Sequence, residues 1–432
     1  MFSFNNSLSP ISWLVYLPVY EQFMLERFEK GCWFALLHDP SVYYLTEKRE
    51  SKLFPMPHVL QYISKKYAVD VQAVLVEETE RHMVWKLETV PDAGMAHGRG
   101  PVADKAFLIA LASFRYGRYT AASTMDAVLL FSGQGAQKVG MGKDLYDKYP
   151  TAKALIEQAD KALGESLSSV MFEGPGEELT RTCNCQPALY VHGLACLAVL
   201  KELAPSLNPV AAAGLSLGEF TAHAAAGTYS FEEGLRLVQK RGAFMEEACN
   251  ATKGTMAAMI GGSDENVIKL AQECDVDVAN FNCPGQTVVS GTEEGVDKAI
   301  AGAKGAGCKI AKKLNVAGAY HSRLMHSAMV KLAEELKNVS FGTPSMPVYC
   351  NYEARVVEGP DDIRSMRDHQ VCGSVRWTAS LLKLVDQGHR LFIELGPGKT
   401  LAGMMGRICK DATVISIEDV PSLEAAVAEL GK

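Results

Sequence analysis

The sequence predicts an α/β protein, a parallel sheet covered by helices on both faces and interrupted by a smaller inserted subdomain. Three stretches carry that expectation. "DAVLLFSGQG" from Asp126 reads as a buried strand running into a glycine turn, and "PVAAAGLSLGEF" from Pro209 as a second apolar strand turning sharply into a helix. Between about Gly254 and Val316 the chain changes to a strand and helix order of its own. Short apolar runs alternating with longer helical periodicities need crossover connections, which place helices on both faces of a parallel sheet.

The elements follow in order. Residues 1–94 hold aromatic clusters such as "CWFALLHDPSVYYL" and a strand-and-hairpin pattern, "DVQAVLVEETERHMVWKLETV", but no motif that carries chemistry. Residues 95–125 contain a single acid, Asp104, among arginine, lysine, serine and alanine, which is the composition of an organelle transit peptide. Such a signal works only at an N-terminus. Translation starting at Met95 is therefore one expectation, and a plain linker is the other.

The core begins at Asp126, with helical periodicity from about Gly140 and a long apolar helix opening near Pro187. The inserted region reads β-α-β-β-α-β: "GTMAAMIGG", "DENVIKLAQEC", "DVDVANFN", "QTVVSG", "EEGVDKAIAGAKGAG" and "CKIAKKLNV". That order is the split βαβ of a ferredoxin-like subdomain, spanning 254–316. The expected organisation is an N-terminal extension over 1–125, a hydrolase-like α/β core over 126–253 and 317–432, and the insertion between the core segments. A junction of this kind forms a cleft, where ligands usually bind.

Composition narrows the function classes. A chain of 432 residues, 48% hydrophobic and 22% charged, can bury a large core. A net charge of −7 without a run of basic residues argues against nucleic acid as the main partner. No apolar stretch reaches about 18 residues without a charge or breaker, so no membrane span is expected. The eleven cysteines are scattered without C-x-x-C pairs, and "CNC" at Cys183–Cys185 has no second cluster to complete a metal site. They read as free thiols in a reducing compartment.

The chemistry centres on "GLSLGE", residues 214–219. Two glycines around a central serine allow a strained strand-to-helix elbow that presents Ser216. A serine hydroxyl is a weak nucleophile and needs a base within reach, usually histidine. Most histidines have bland surroundings, His192 and His223 lying in apolar helices. His321 follows "NVAGAY" where the insertion returns to the core, at the mouth of the inferred cleft. Arg241 stands out for another reason. On the helix from Phe231 it falls inside the apolar arc, and a buried guanidinium must find an anion. That anion is either a core carboxylate or the carboxylate of a substrate.

"LLFSGQGAQKVGMGKDL", "CQPALYVHGLA", "GLSLGEFTAHAAAG", "RLVQKRGAFMEEA", "VANFNCPGQTVVSG", "VAGAYHSRLM", "PVYCNYEARV", "QVCGSVRWTASL" and "FIELGPGKTLAGMM" occur in one order over residues 126–418. In this the chain resembles the malonyl-CoA:acyl carrier protein transacylases. The resemblance implies that Ser216 is the acylated nucleophile, His321 its base, and Arg241 the clamp for the malonyl carboxylate. It assigns backbone N–H groups of Gln134 and Leu217 to the oxyanion hole and associates Gln370, before a V-x-W strand, with orienting His321. No carboxylate stands out as a third triad member, so the resemblance points to a Ser-His pair steered by a neutral group. It implies no cofactor and no metal, with malonyl-CoA and holo acyl carrier protein as partners and a monomeric enzyme. Leu215 and Ser132 depart from the G-H-S-x-G-E and F-P-G-Q-G patterns of many members. A leucine at that place resembles the plastid branch, so the stroma is the expected compartment, with the mitochondrial matrix the alternative. An esterase would instead place an acid between serine and histidine in chain order. A carrier-docking scaffold would need neither Ser216 nor His321. An acyltransferase cut from a polyketide synthase would carry ketosynthase-like flanks.

Overall fold

The structure is a computed structural model describing residues 125–431 and, nearer the N-terminus, the backbone pairing of six strands. The chain divides into two units, 1–121 and 122–432. In the first, Val71–Glu78 pairs antiparallel with Met83–Thr89, which is the hairpin expected from the alternation. Phe2–Ser3 pairs with Trp13–Leu14, and Met24–Arg27 with Trp33–Leu36. The transit-like stretch before Met125 lies outside the described residues.

The second unit holds nine strands: β1 Met125–Phe131, β2 Leu207–Gly214, β3 Gly254–Ile260, β4 Asp277–Cys283, β5 Gln286–Thr292, β6 Ile310–Lys313, β7 Val348–Tyr349, β8 Leu391–Leu395 and β9 Thr413–Ile417. The main sheet runs β7-β2-β1-β8-β9 with every pair parallel. Ala127 to Phe131 in β1 are buried on both faces, because helices cover the sheet above and below. Six helices matter for the site: α1 Thr182–Leu203, α2 Leu217–Ala225, α3 Phe231–Ala251, α4 Asp264–Glu273, α5 Glu293–Gly302 and α6 Pro360–Cys372.

Helix α1 is the spine of the larger core, with buried residues all round rather than along one stripe. By length and composition it could cross a membrane, but most of it is buried inside the fold. It opens at Thr182, five residues before the expected start, and carries Pro187 inside. Pro187 is the sixth residue of the helix, past the opening N–H groups, so it forfeits the bond that an N–H there would make to the Cys183 carbonyl, and burial all round carries the helix through it. Helix α3 opens on a reciprocal capping box between Ser230 and Glu233.

Between α3 and the return to the core, β3-α4-β4-β5-α5-β6 forms an antiparallel sheet in the order β4-β5-β3-β6. This inserted unit buries a core of its own around Ala257, Met259, Val267, Leu270, Val289 and Val296. Its β4 edge meets the main body where Asn280 bridges Val375. That bridge is isolated. The "QVCGSVRW" block is therefore helix, bend and helix rather than a strand, and Gln370 sits near the end of α6.

Candidate active site

Ser216 occupies the turn between β2 and α2 with φ 54° and ψ −102°, a conformation that L residues rarely adopt. Strain of this kind costs of order 1–3 kcal/mol and persists only where the surroundings over-determine it. The flanking glycines are required by space: a Cβ on Gly214 would lie 1.9 Å from the Gly218 carbonyl carbon, and one on Gly218 would lie 2.2 Å from the Phe131 carbonyl oxygen. Hydrogen bonds pin the turn. The Ser216 N–H donates to Asn351 Oδ1 at 2.7 Å, Asn351 Nδ2 donates to the Gly214 carbonyl at 2.8 Å, and Gln370 Nε2 donates to the Ser216 carbonyl at 3.1 Å.

His321 reaches the same point from the segment returning out of the insertion. Its Nε2 lies 2.8 Å from Ser216 Oγ, and its Nδ1 lies 2.9 Å from the main-chain carbonyl of Gln370. A carbonyl only accepts, so Nδ1 carries the proton and Nε2 is left to accept from the serine hydroxyl. Like Ser216, His321 has a left-handed backbone, φ 55°. Burial, and then the nearby Arg241 charge, push its pKa down to about 4. The imidazole is thus a neutral base at physiological pH. His192 also is buried, but its Nε2 meets the Glu418 carbonyl at 2.9 Å, a role in packing.

Arg241 is only 1% exposed. Its Nη1 donates to Gln186 Oε1 at 2.7 Å, and its Nη2 donates to Ser216 Oγ at 3.1 Å and to Gln370 Oε1 at 3.0 Å. The guanidinium also lies over the Phe220 ring, 5.1 Å from its centroid. Among the described residues no carboxylate touches it, which removes the core ion pair that the sequence left open. Its Nε–H is buried and finds no acceptor among the described residues. Burial pulls its pKa down to about 10 against the opposing pull of Glu219.

Gln134 and Leu217 lie just past the ends of neighbouring strands β1 and β2. The glycine turn presses on the elbow so closely that a Cβ on Gly133 would sit 2.3 Å from the Leu215 carbonyl. No side chain caps α2, so its first N–H, that of Leu217, is not claimed by a cap. The Gln134 side chain donates from Nε2 to Tyr320 Oη at 3.3 Å and to Thr182 Oγ1 at 3.4 Å. Those two hydroxyls are 2.7 Å apart. This clasp ties the glycine turn to the start of α1 and to the residue before His321.

His321, Arg241 and Gln370 therefore meet at Ser216, with Leu217 next to it in the chain and Gln134 following the glycine that presses on the elbow. Gln370 does so in two ways, by its main-chain carbonyl toward His321 and by its side-chain amide toward Arg241 and Glu219. Gln186, Glu219 and Asn351 were not foreseen. Glu219 had left a signal, as the one acid in the apolar run "LGEFTAHAAA". Asn351 had left another, a polar residue two places after the short buried strand β7.

Residues 128–427 match the acyl transferase domain family. Over 306 residues the chain is 42% identical to the malonyl CoA-acyl carrier protein transacylase of Bacillus subtilis, covering 70% of this chain and 96% of that protein. The chain belongs to the malonyl-CoA:acyl carrier protein transacylase family. The Escherichia coli transacylase is 38% identical over 305 residues, covering 70% of this chain and 98% of its own length. Among solved structures, the acyl carrier protein S-malonyltransferase of Vibrio cholerae superposes with a TM-score of 0.67 at 36% identity, over 69% of this chain and 99% of that one. A further transacylase, solved in complex with a type II polyketide acyl carrier protein, gives a TM-score of 0.68 at 34% identity over 71% of this chain and all of that one. Members of this family thus share the fold that carries Ser216, His321 and Arg241.

Proposed function

We propose that the chain transfers a malonyl group from malonyl-CoA to the phosphopantetheine thiol of holo acyl carrier protein, through a malonyl ester on Ser216, supplying fatty acid elongation. The observation that carries this reading is that Ser216 Oγ lies at once 2.8 Å from His321 Nε2 and 3.1 Å from Arg241 Nη2. His321 takes the hydroxyl proton as Oγ attacks the thioester carbonyl. The resulting oxyanion is met by the N–H groups of Leu217 and Gln134. Coenzyme A leaves as the thiol, taking the proton from His321. In the second half, the carrier thiol gives its proton to His321, attacks the malonyl ester, and Ser216 recovers its hydrogen as the ester bond breaks.

The distal carboxylate is the anion that Arg241 lacks. The buried, unclaimed Nε–H offers it one donor, and Nη2 supplies the parallel second by releasing its bond to Ser216 Oγ once that oxygen is acylated. No cofactor enters this scheme. The strand order β4-β5-β3-β6 supports reading residues 254–316 as a ferredoxin-like subdomain. The composition of residues 95–125, with Leu215 in the elbow, supports a plastid stromal site of action, with the mitochondrial matrix as the alternative. A reporter fused behind residues 95–130 tests the compartment, and a diffuse cytosolic signal counts against it. The reaction is tested by intact mass: after incubation with malonyl-CoA the native chain gains one malonyl group, and Ser216→Ala gains none. Malonylation of the alanine variant would rule out Ser216.

A further inference from the structure

Glu219 is a fully buried carboxylate in the first turn of α2 that the transfer scheme does not use. Its Oε2 accepts from the Asn351 N–H at 2.8 Å and from Gln370 Nε2 at 2.6 Å. That oxygen faces the Arg241 guanidinium across one amide, and a nearby positive charge favours the ionised carboxylate. The other end of the same Gln370 amide, Oε1, accepts from Arg241 Nη2 at 3.0 Å. One amide therefore links the two buried charges without letting them touch, and the attraction between them is felt at Arg241.

We propose that Glu219, relayed through the Gln370 amide, is a counter-charge that loosens the grip of Arg241 on the malonyl carboxylate, so that the acyl group which enters the site can also leave it. This rests on the reading of Ser216 as nucleophile and Arg241 as clamp. A transacylase binds the same carboxylate twice, once arriving on coenzyme A and once departing on the carrier. Interactions present throughout act as uniform binding, and an excess of them traps the intermediate instead of speeding turnover. With Glu219 ionised, the unliganded site holds one positive and one negative charge, and malonyl brings a second negative. Without Glu219 the malonyl carboxylate would exactly offset the guanidinium and be held harder. An acetyl group carries no charge and would not sense the difference. Glu219 is thus a positioning residue whose effect depends on substrate charge.

The test is the equilibrium between acyl-CoA plus enzyme and acyl-enzyme plus CoA, read by intact mass for malonyl-CoA and acetyl-CoA in turn. The isosteric Glu219→Gln variant, which keeps an acceptor for both donors, is expected to move the malonyl equilibrium toward acyl-enzyme by about 10-fold while leaving the acetyl equilibrium near that of the native chain. Its KM for malonyl-CoA falls and its kcat falls with it, as release of the malonylated carrier becomes limiting. Glu219→Asp retains the charge and keeps the native malonyl-to-acetyl ratio. Equal shifts for both acyl groups in Glu219→Gln, or none, overturn the proposal. Should that variant not fold, Gln186→Glu approaches from the opposite direction: Gln186 Oε1 already accepts from Arg241 Nη1 at 2.7 Å, and a carboxylate there lowers the malonyl equilibrium about 10-fold against the acetyl one. Equal losses there overturn it as well. Failure of the native chain to malonylate, or malonylation of Ser216→Ala, would instead defeat the underlying reading.

Discussion

Arg241 has three neutral acceptors and no carboxylate in contact, the buried Glu219 lying one amide away. A substrate carboxylate in the same cleft would contribute roughly 2 to 4 kcal/mol of binding that acetyl-CoA cannot obtain. Arg241→Ala is therefore expected to lower kcat/KM for malonyl-CoA by about 30- to 1000-fold and leave acetyl-CoA flat or improved. Equal losses on the two substrates would make Arg241 a packing residue. The guanidinium also acts on the base. Burial and then Arg241 hold His321 near a pKa of about 4, below its ordinary 6.5. The acid limb of the acetyl-CoA acylation rate in the native chain should accordingly lie below pH 6.5, and in Arg241→Ala it should move upward; an unmoved limb would show that the two groups are not coupled. The stability consequence has a definite sign. The unfolded chain takes up this proton near pH 6.5 and the folded chain only near 4. His321 thus favours the folded state fully above pH 6.5, and that contribution is lost as the pH falls through this window.

At the level of elements, the site depends on how closely α1 and α3 approach. A Cβ on Gly242 would lie 2.4 Å from the Thr182 carbonyl oxygen, so only glycine lets α3 bring Arg241 within reach of Gln186 on α1. Gly242→Ala is expected to force the helices apart at a cost of about 1–3 kcal/mol. Thermal melting should show the loss, and the malonyl-to-acetyl ratio should fall as Arg241 withdraws from its place. A native melting temperature with a native ratio would refute this account of the packing. The elements themselves were legible in the sequence wherever their periodicity is local: β1, the elbow, and all six elements of the insertion fall where the apolar patterns put them. Serine, histidine and arginine were legible by type and context. The start of α1 was not, because proline favours the first turn of a helix, whereas here tertiary packing carries α1 through Pro187. Gln186, Glu219 and Asn351 remained unread for a different reason. Their function comes from partners on other elements, and no pattern within a single element encodes those meetings.

At the scale of the molecule, the two units carry unequal burdens. The acyl transferase match covers residues 128–427, and the Bacillus subtilis relative is spanned over 96% of its length by only 70% of this chain. Among the described residues, all those that build the site lie in the second unit. Its first strand is tied in at once, the Met125 N–H donating to the Ser206 carbonyl at 3.0 Å and β1 running between β2 and β8 at the centre of the sheet. Among the described residues, the larger core cluster draws on residues from Ala127 to Leu430. A chain beginning at residue 122 should therefore fold, malonylate at Ser216, and pass the group to carrier protein with kcat/KM within about 2-fold of the full chain. Its melting temperature is expected to match that of the full chain as well. Both substrates should be measured. A loss confined to the carrier step, with acylation by malonyl-CoA intact, would mean that the first unit takes part in carrier recognition. A loss in both steps together with a lower melting temperature would mean that the second unit does not stand alone.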